Sequence, residues 1–270
     1  MIPDKRLGQH FLTDRNILQR IADALEPAPD DVVVEIGAGT GTLTAVLAPR
    51  VRHVIAIERD RRLISELRMR NAECGIDRLS IVQGDALRVD WHALAIPHST
   101  FRTPHFKIVG NIPYAITSPL IDKALTPPLP ACIVFLIQAE VADRIAASPG
   151  SKPYGALSVG VQAVCRVERL FTVRAGAFTP PPKVHSALVC LTPLAQPLVA
   201  PEEIVAFRAF VTACFSRRRK QLRNVLTGAT GHSAARVAAG LAALGVDPMA
   251  RPETLSPATF VRLLRWSARL

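Results

Sequence analysis

Five short apolar runs constrain the fold of this chain more than any other feature of its sequence. They occupy residues 32–36, 54–57, 79–82, 106–109 and 131–137 and alternate with segments of helical spacing, such as 60–71 and 139–147. Apolar runs of this length are typical of strands that are buried on both faces. Their alternation with helical segments predicts an α/β fold built on a doubly wound, Rossmann-like parallel sheet.

The pattern changes after residue 150. Residues 164–170 and 186–191 are predicted to form two further strands, joined by the proline-rich AFTPPPKV, as an antiparallel pair at the sheet edge. The three prolines of TPLAQPLVAP, residues 192–201, predict a linker. The helix-start signals Pro201-Glu202-Glu203 and Ser256-Pro257 predict three or four helices beyond it. We therefore expect a catalytic domain over residues 1–194 and a small all-helical domain over residues 195–270.

Composition narrows the class of protein. The apolar stretches are shorter than the roughly 18 residues that span a bilayer, and the N-terminus has no apolar signal region, so we expect a cytoplasmic protein without membrane attachment. The five cysteines are never spaced as CxxC, and the seven histidines show neither HxxxH nor HExxH spacing. We expect buried reduced thiols, no disulfide framework and no bound metal.

The net charge of +11 is unevenly distributed along the chain. Residues 195–270 contain 11 Lys and Arg against 4 Asp and Glu, whereas residues 1–194 contain 22 against 18. Five of the cations lie in the run at 216–223, SRRRKQLR. Charge runs are common on solvated helix faces, but the guanidinium of arginine also pairs well with phosphate. The asymmetry predicts a polyanionic partner, with nucleic acid favoured over an anionic membrane.

A glycine-rich turn, EIGAGTG at residues 35–41, follows the first predicted strand. Gly37 and Gly39 allow the backbone to turn tightly and to approach a ligand, and the next helix offers free N–H groups. Thr42 stands where the dinucleotide fingerprint GxGxxG needs its third glycine, which disfavours a nicotinamide cofactor. A tight turn without any ligand is the alternative explanation of these glycines.

Acidic residues follow the next two predicted strands. Glu58 ends the second strand, where a carboxylate can accept both ribose hydroxyls, and Asp85 follows the third, where it can accept from the exocyclic amine of adenine. Either acid alone is explained equally well as a cap of the following helix. Because all three features lie at consecutive strand ends, we expect an adenosine-bearing ligand there, and S-adenosylmethionine fits best.

The fourth predicted strand ends in Asn111-Ile112-Pro113-Tyr114, a combination suited to an adenine amine. The lone pair of this amine is conjugated with the ring, so that attack through its nitrogen needs acceptors for its two hydrogens. The Asn111 side-chain oxygen and the Ile112 carbonyl, restricted by Pro113 to an extended conformation, can provide them. Tyr114 can stack on the base. A turn capped by Asn111, with Tyr114 packed on the core, is the alternative.

Seven motifs, spread along nearly the whole chain, together resemble one enzyme family. They are GQHFLTD (8–14), VVEIGAGTGTLT (33–44), GNIPYAITSPLI (110–121), SKPYGALSV (151–159), AFTPPPKVHSALV (177–189), FSRRRKQLRNVL (215–226) and GVDP (245–248). They are similar to the motifs of the ribosomal RNA small-subunit adenine N6-dimethyltransferases, which are class I S-adenosylmethionine-dependent methyltransferases.

The resemblance implies dimethylation of two adjacent adenosines in the 3′-terminal hairpin loop of 16S rRNA, within the small ribosomal subunit or its precursor. It also implies that residues 195–270 bind RNA. The cofactor site would be lined by His10, Leu12, Gly37, Gly39, Glu58, Asp85 and Asn111. Asn111 and Tyr114 would hold the target base, and Phe178 would close over its other face, although a core position is the ordinary place for a phenylalanine.

Two positions depart from the family pattern. Ala115 follows the tyrosine where the family usually has Asn, and His185 stands where Asp or Asn is usual. Neither change removes a proposed catalytic atom, but Ala115 falls in the loop expected to hold the substrate.

Three alternatives remain at this point. An Erm-type methyltransferase acting on 23S rRNA is disfavoured by FSRRRKQLRNVL and GVDP, and a non-catalytic ribosome-assembly factor is disfavoured by the intact acids and Asn111. A nicotinamide oxidoreductase is disfavoured by Thr42 and by the basic C-terminal region. The sequence gives no sign of oligomerisation, and we expect a monomer.

Overall fold

The computed structural model describes residues 9–74, 78–98, 106–217 and 220–268. The strands in these ranges are β1 (Phe11–Leu12), β2 (Val32–Ile36), β3 (His53–Glu58), β4 (Leu79–Gln83), β5 (Phe106–Asn111), β6 (Cys132–Gln138), β7 (Cys165–Val173), β8 (Phe178–Thr179) and β9 (Ser186–Pro193). The helices are α1 (Arg15–Ala24), α2 (Thr42–Leu47), α3 (Arg61–Cys74), α4 (Trp91–Ala95), α5 (Thr117–Ala124), α6 (Ala139–Ile145), α7 (Ala156–Gln162), α8 (Ile204–Phe215), α9 (Leu222–Thr230), α10 (Ala234–Ala243) and α11 (Pro257–Ala268).

The sheet has seven strands in the order β4-β3-β2-β5-β6-β9-β7. Strands β2 to β6 pair in parallel, and β9 pairs antiparallel with β6. The predicted Rossmann-like sheet is therefore confirmed, including all five apolar runs. The two later strands are also neighbours at one edge, with β9 placed between β6 and β7.

The centre of this sheet contains a topological switch point. From β2 the chain continues to β3 and β4 on one side, while β5 and β6 lie on the other side. Helices that connect such strands leave in opposite directions, and a crevice opens at the carboxyl ends of the two central strands. The predicted site residues that follow β2 and β5 are therefore brought to one place by the strand order alone.

The apolar character of the strands is explained by their burial. Every residue of β2 is buried, and Val32, Val33 and Val34 have no exposed surface. Helix α1 covers one face of the sheet with Leu18 and Ile21, and its N-terminus is capped by Asp14, whose side chain accepts two backbone N–H groups. Burial on both faces requires a continuous apolar run rather than an alternating one.

The chain divides into two compact units, which differ from the predicted domains. The first unit comprises residues 1–142 and 168–193, and the second comprises residues 143–167 and 194–270. The predicted boundary near residue 194 agrees with this division, but residues 143–167 belong with the C-terminal helices. Long-range contacts explain the correction: the Leu198 N–H donates to the Ala163 carbonyl, and the Tyr154 hydroxyl donates to the Leu255 carbonyl.

The second unit is helical beyond residue 200, as predicted. Residues Pro201–Glu203 form a 3-10 turn that leads into α8, and the Ser256 hydroxyl accepts the Thr259 N–H at the start of α11. The rings of Phe215 and Phe260 pack 5.6 Å apart between α8 and α11. In the ranges that the structure covers, no helix is long and apolar enough to cross a membrane.

The close approach of β5 to β2 depends on a glycine. A Cβ atom added at Gly110 would lie 2.6 Å from the Ile36 carbonyl oxygen and 2.8 Å from the Ile112 side chain. We expect Gly110→Ala to lower the free energy of unfolding by about 1–3 kcal/mol, because two backbones must move apart. Denaturant unfolding measures this change.

Gly160→Ala is the matched control. Gly160 lies inside α7, and a Cβ added there meets no atom within 4 Å. Alanine also has the higher helix propensity, so this variant should be as stable as the parent protein or slightly more stable. Equal stability of both variants would contradict the close-approach argument.

Candidate active site

A cavity of about 410 Å³ lies at the carboxyl ends of the parallel strands. Its walls come from the turns after β2, β3, β4 and β5 and from the segment around β1. This volume lies within the range of small-molecule sites. The structure brings together seven of the predicted site residues in its lining, namely His10, Gly37, Gly39, Glu58, Asp85, Asn111 and Tyr114.

The glycine-rich turn forms the floor of the cavity next to β2. Gly37 and Gly39 have φ angles of +69° and +58°, a backbone region that residues with a Cβ atom rarely adopt. The Gly37 N–H donates to the Ile57 carbonyl at 2.8 Å, which ties the turn to the end of β3. The glycines are therefore required by the backbone conformation at the cavity.

Glu58 supports this turn with its carboxylate. Its side chain accepts the N–H of Gly39 at 2.9 Å, of Arg59 at 2.7 Å and of Asp60 at 2.8 Å. Glu58 is only 7% exposed, yet it lines the cavity. A carboxylate has about four acceptor positions, so roughly one remains open toward a ligand. The interpretation of Glu58 as an acceptor for both ribose hydroxyls thus requires it to release one backbone N–H.

The two carboxylate oxygens of Asp85 have different partners. One carboxylate oxygen accepts the Leu87 N–H at 3.0 Å, as expected of an acid that starts a turn. The other lies 3.7 Å from the Arg59 guanidinium, which is exposed at the cavity rim. Asp85 thus caps the turn that follows it, as the alternative explanation proposes, and it also lines the cavity.

The chain segment around β1 closes one side of the cavity. The Gln9 side-chain amide donates to Asp60 at 3.0 Å, and the His10 ring donates from Nδ1 to the Pro180 carbonyl at 2.7 Å. The neighbouring Arg62 guanidinium holds the pKa of Asp60 well below its usual range, so that Asp60 is a charged acceptor for Gln9. The Asp60 side chain and the Pro180 backbone carbonyl, far apart in sequence, thus hold residues 9 and 10 against the cavity.

Asn111 is oriented by this segment. Its Nδ2 group donates to the His10 backbone carbonyl at 2.9 Å, which directs Oδ1 away from that contact. Among the residues that the structure describes, no donor bonds to Oδ1 or to the Ile112 carbonyl. The Ile112 N–H donates to the Leu136 carbonyl and continues the pairing of β5 with β6. Within the described part of the chain, two acceptors beside the cavity therefore have no hydrogen-bond donor.

Tyr114 stands in a 3-10 turn directly after Pro113. Its ring is stacked against that of His10, with centroids 5.9 Å apart and planes inclined by 28°. Its hydroxyl is hydrogen-bonded to the Ser186 hydroxyl at 2.8 Å. Burial raises the pKa of Tyr114 above its usual value, so the phenol is neutral at physiological pH. The ring is thus fixed at its tip and at one face.

The side chains of Leu12 and Phe178 are turned into the core, and their roles at the site remain predictions. Strand β1 pairs antiparallel with β8, which places Leu12 opposite Phe178, and both side chains are buried in the main hydrophobic cluster. They are 5% and 3% exposed and do not line the cavity. Because neighbouring strand residues face opposite sides, Phe11 points the other way and lines the cavity near Gly39.

The two departures from the family pattern have different surroundings. Ala115 is exposed in the turn after Tyr114 and contributes to the cavity lining. His185 is exposed, and its backbone carbonyl accepts the Ala139 N–H at 3.0 Å. Only Ala115 therefore changes the chemical surface of the cavity.

Besides Phe11, three polar residues of the site were not predicted from the sequence. Gln9 and Arg59 line the cavity, and Ser186 holds Tyr114. Gln9 and Ser186 occur within the motifs GQHFLTD and AFTPPPKVHSALV, and Arg59 directly follows Glu58. The sequence carries no signal that shows which partners these polar residues bond to.

Comparison with known proteins agrees with this arrangement. The family model described as ribosomal RNA adenine dimethylase matches residues 3–269. The chain belongs to the ribosomal RNA adenine dimethylase family.

Curated relatives named ribosomal RNA small subunit methyltransferase A cover nearly the whole chain. The relative from Syntrophotalea carbinolica is 43% identical over 262 residues, which are 97% of this chain and 95% of the relative. The relative from Nitrosococcus oceani is 44% identical over 264 residues, with the same two coverages.

Two solved structures of related enzymes have the same fold. A dimethyladenosine transferase from Plasmodium falciparum superposes with a TM-score of 0.80 at 29% identity, covering 94% of this chain and 96% of that chain. The 23S rRNA methyltransferase ErmE superposes with a TM-score of 0.72 at 30% identity, covering 96% and 99%. The two structures are thus about equally similar to this chain in sequence, and both are less similar than the curated small-subunit methyltransferases at 43% and 44% identity.

A buried acid beneath the glycine-rich turn makes stability dependent on pH. Glu35 is 2% exposed, and burial raises the pKa of its carboxyl from 4.5 to about 8, against the opposing hydrogen bond from the Thr44 hydroxyl. Between these two pKa values the folded protein binds a proton that the unfolded chain does not, so stability falls as the pH rises.

Glu35→Gln should remove this part of the pH dependence, because an amide can still accept from Thr44 and does not ionise. The free energy of unfolding of the parent protein, minus that of the variant, should fall by a few kcal/mol between about pH 5 and pH 8. Chemical denaturation at several pH values measures the difference. A difference that stays constant across this range would mean that Glu35 does not titrate there.

Proposed function

We propose that this protein transfers methyl groups from S-adenosylmethionine to N6 of two adjacent adenosines in the 3′-terminal hairpin loop of 16S rRNA, producing dimethyladenosine. The observation that carries the proposal is a pair of acceptors, Asn111 Oδ1 and the Ile112 carbonyl, which have no donor among the described residues and lie beside the ring of Tyr114. Curated relatives at 43% and 44% identity are named small-subunit methyltransferases, which supports the choice of RNA. A cytoplasmic location is part of the proposal, because the protein must reach small ribosomal subunits or their precursors.

The residues of the cavity fit the proposed cofactor. The turn at Gly37 and Gly39 brings backbone close to a ligand, and Glu58 and Asp85 each keep an acceptor position at the cavity. These groups suit a ribose hydroxyl and an adenine amine, respectively. When bound, S-adenosylmethionine supplies a methyl group on a positively charged sulfur.

The target base would be held and activated by the turn after β5. Asn111 Oδ1 and the Ile112 carbonyl accept the two hydrogens of the amine and draw its nitrogen toward tetrahedral geometry, which frees the lone pair. Pro113 has no N–H that could occupy these acceptors. Tyr114 presents its ring to the base, because its hydroxyl is bonded to Ser186. The methylated nitrogen is acidic enough to lose its proton to water, so the rate comes mainly from alignment.

The second unit is proposed to bind the RNA. Arg217, Lys220 and Arg223 are exposed at the end of α8 and the start of α9, while Arg218 and Arg219 lie outside the described residues. Guanidinium groups bind phosphate without reading sequence, and each such contact adds about one unit to the salt dependence of binding. Contacts of this kind position a hairpin, while base selection is left to the cavity.

Methyl transfer to ribosomal particles tests the proposal. Purified protein with labelled S-adenosylmethionine should label 16S rRNA in small subunits that lack the modification, up to four methyl groups per particle. Large subunits are the control and should stay unlabelled. Label in 23S rRNA alone would support the Erm-type alternative, and particle binding without transfer would support the assembly-factor alternative.

Two substitutions should separate the proposed roles of the cavity walls. Tyr114→Ala removes the platform for the base and should lower kcat roughly 10- to 100-fold, with little change in cofactor affinity. Glu58→Gln places an amide N–H group against backbone donors and should raise the Kd of S-adenosylmethionine about 10-fold, with a smaller effect on kcat. Calorimetric cofactor binding and single-turnover kinetics measure both. Equal loss of cofactor affinity in the two variants would contradict this division.

A further inference from the structure

The proline-rich motif AFTPPPKVHSALV contains a serine whose position the proposed reaction does not yet explain. Ser186 is the first residue of β9 and lies opposite Gln138 of β6 in antiparallel register. It has no exposed surface. Its hydroxyl lies 2.8 Å from the Tyr114 hydroxyl, although the two residues are 72 positions apart in sequence.

This hydrogen bond limits the movement of the Tyr114 ring. The backbone of Tyr114 belongs to a 3-10 turn, which fixes the base of the side chain, and the Ser186 contact fixes its tip. An aromatic ring held at both ends keeps one plane, whereas a ring held only by its backbone can change rotamer. The stacked His10 ring covers one face, with a centroid distance of 5.9 Å.

The segment 180–186 contacts both members of this ring pair. The Pro180 carbonyl accepts from the His10 ring at 2.7 Å at one end of the segment, and Ser186 bonds to Tyr114 at the other end. Between them, the His185 carbonyl accepts the Ala139 N–H and ties the segment to the end of β6. The segment thus holds both rings from the rigid edge of the sheet.

We propose that Ser186 is a positioning residue, which acts through Tyr114 and sets the plane on which the target adenine stacks. This inference rests on the proposed adenine methylation. Ser186 does not line the cavity, so it has no contact with cofactor or base. Its effect depends entirely on the Tyr114 hydroxyl, and this dependence distinguishes positioning from simple packing.

A double-mutant cycle tests the dependence. Ser186→Ala and Tyr114→Phe each remove one partner and should each lower kcat roughly 3- to 10-fold, with an unchanged KM for S-adenosylmethionine. The double variant should lose no more than either single variant, because the same bond is absent in all three. A Ser186→Ala effect that multiplies with that of Tyr114→Phe would show a packing role and would overturn the inference.

Ser80→Ala is the matched control. Ser80 lies on β4, its hydroxyl is hydrogen-bonded to the His53 ring at 2.8 Å, and it does not line the cavity. This variant loses a strand serine hydroxyl and a bond of equal length at a half-buried position, so it should lose some stability while kcat stays at the parental value. A kcat loss equal to that of Ser186→Ala would mean that general destabilisation explains both.

Titration of the phenol gives a readout that is independent of methyl transfer. The ultraviolet difference between the parent protein and Tyr114→Phe identifies the ionisation of Tyr114. Because the Ser186 hydroxyl lowers the pKa that burial raises, Ser186→Ala should move this ionisation to higher pH. An unchanged midpoint would contradict the hydrogen bond. A moved midpoint in a protein that transfers no methyl groups would refute the proposed function but leave the Ser186–Tyr114 contact established.

Discussion

The hydrogen bond from Asn111 Nδ2 to the His10 carbonyl is the contact on which the chemistry of the cavity depends. It joins the end of a central strand to the segment that closes the cavity, across 101 residues of sequence. An amide that donates from Nδ2 has its acceptor oxygen, Oδ1, directed elsewhere. This one hydrogen bond therefore holds the wall of the cavity in place and also sets the direction of the Oδ1 acceptor. The Ile112 carbonyl is positioned with it, because Ile112 continues the pairing to β6.

The acids of the cavity illustrate how structural and ligand-binding roles overlap. Glu58 was predicted as a ligand acceptor with helix capping as the alternative, and the structure gives its carboxylate three backbone partners. Asp85 likewise stabilises its own turn. A short loop at a strand end has several unpaired N–H groups, and a carboxylate that satisfies them is also held ready for a ligand. The two explanations are therefore complementary for both residues.

Much of this arrangement could be predicted from the sequence, because parallel strands place their carboxyl ends on one edge. The five apolar runs correctly predicted five strands of the sheet. Residues that follow four of these strands line one cavity. The positions of Leu12 and Phe178 could not be predicted in this way, because β1 and β8 have two residues each and leave no periodic pattern. Residues 143–167 were assigned to the wrong unit because bonds such as Tyr154 to Leu255 join distant segments.

The segment 180–186 has a consequence for how this part of the chain can vary. It contributes two backbone carbonyls and one serine hydroxyl, while Pro181, Lys183, Val184 and His185 are exposed. The number of residues between Pro180 and Ser186 sets the spacing of the two rings, so an insertion or a deletion here would misalign them. The side chains at the exposed positions take no part in these contacts. A histidine is accommodated at position 185 in place of an acid or an amide because only its backbone carbonyl contributes to them.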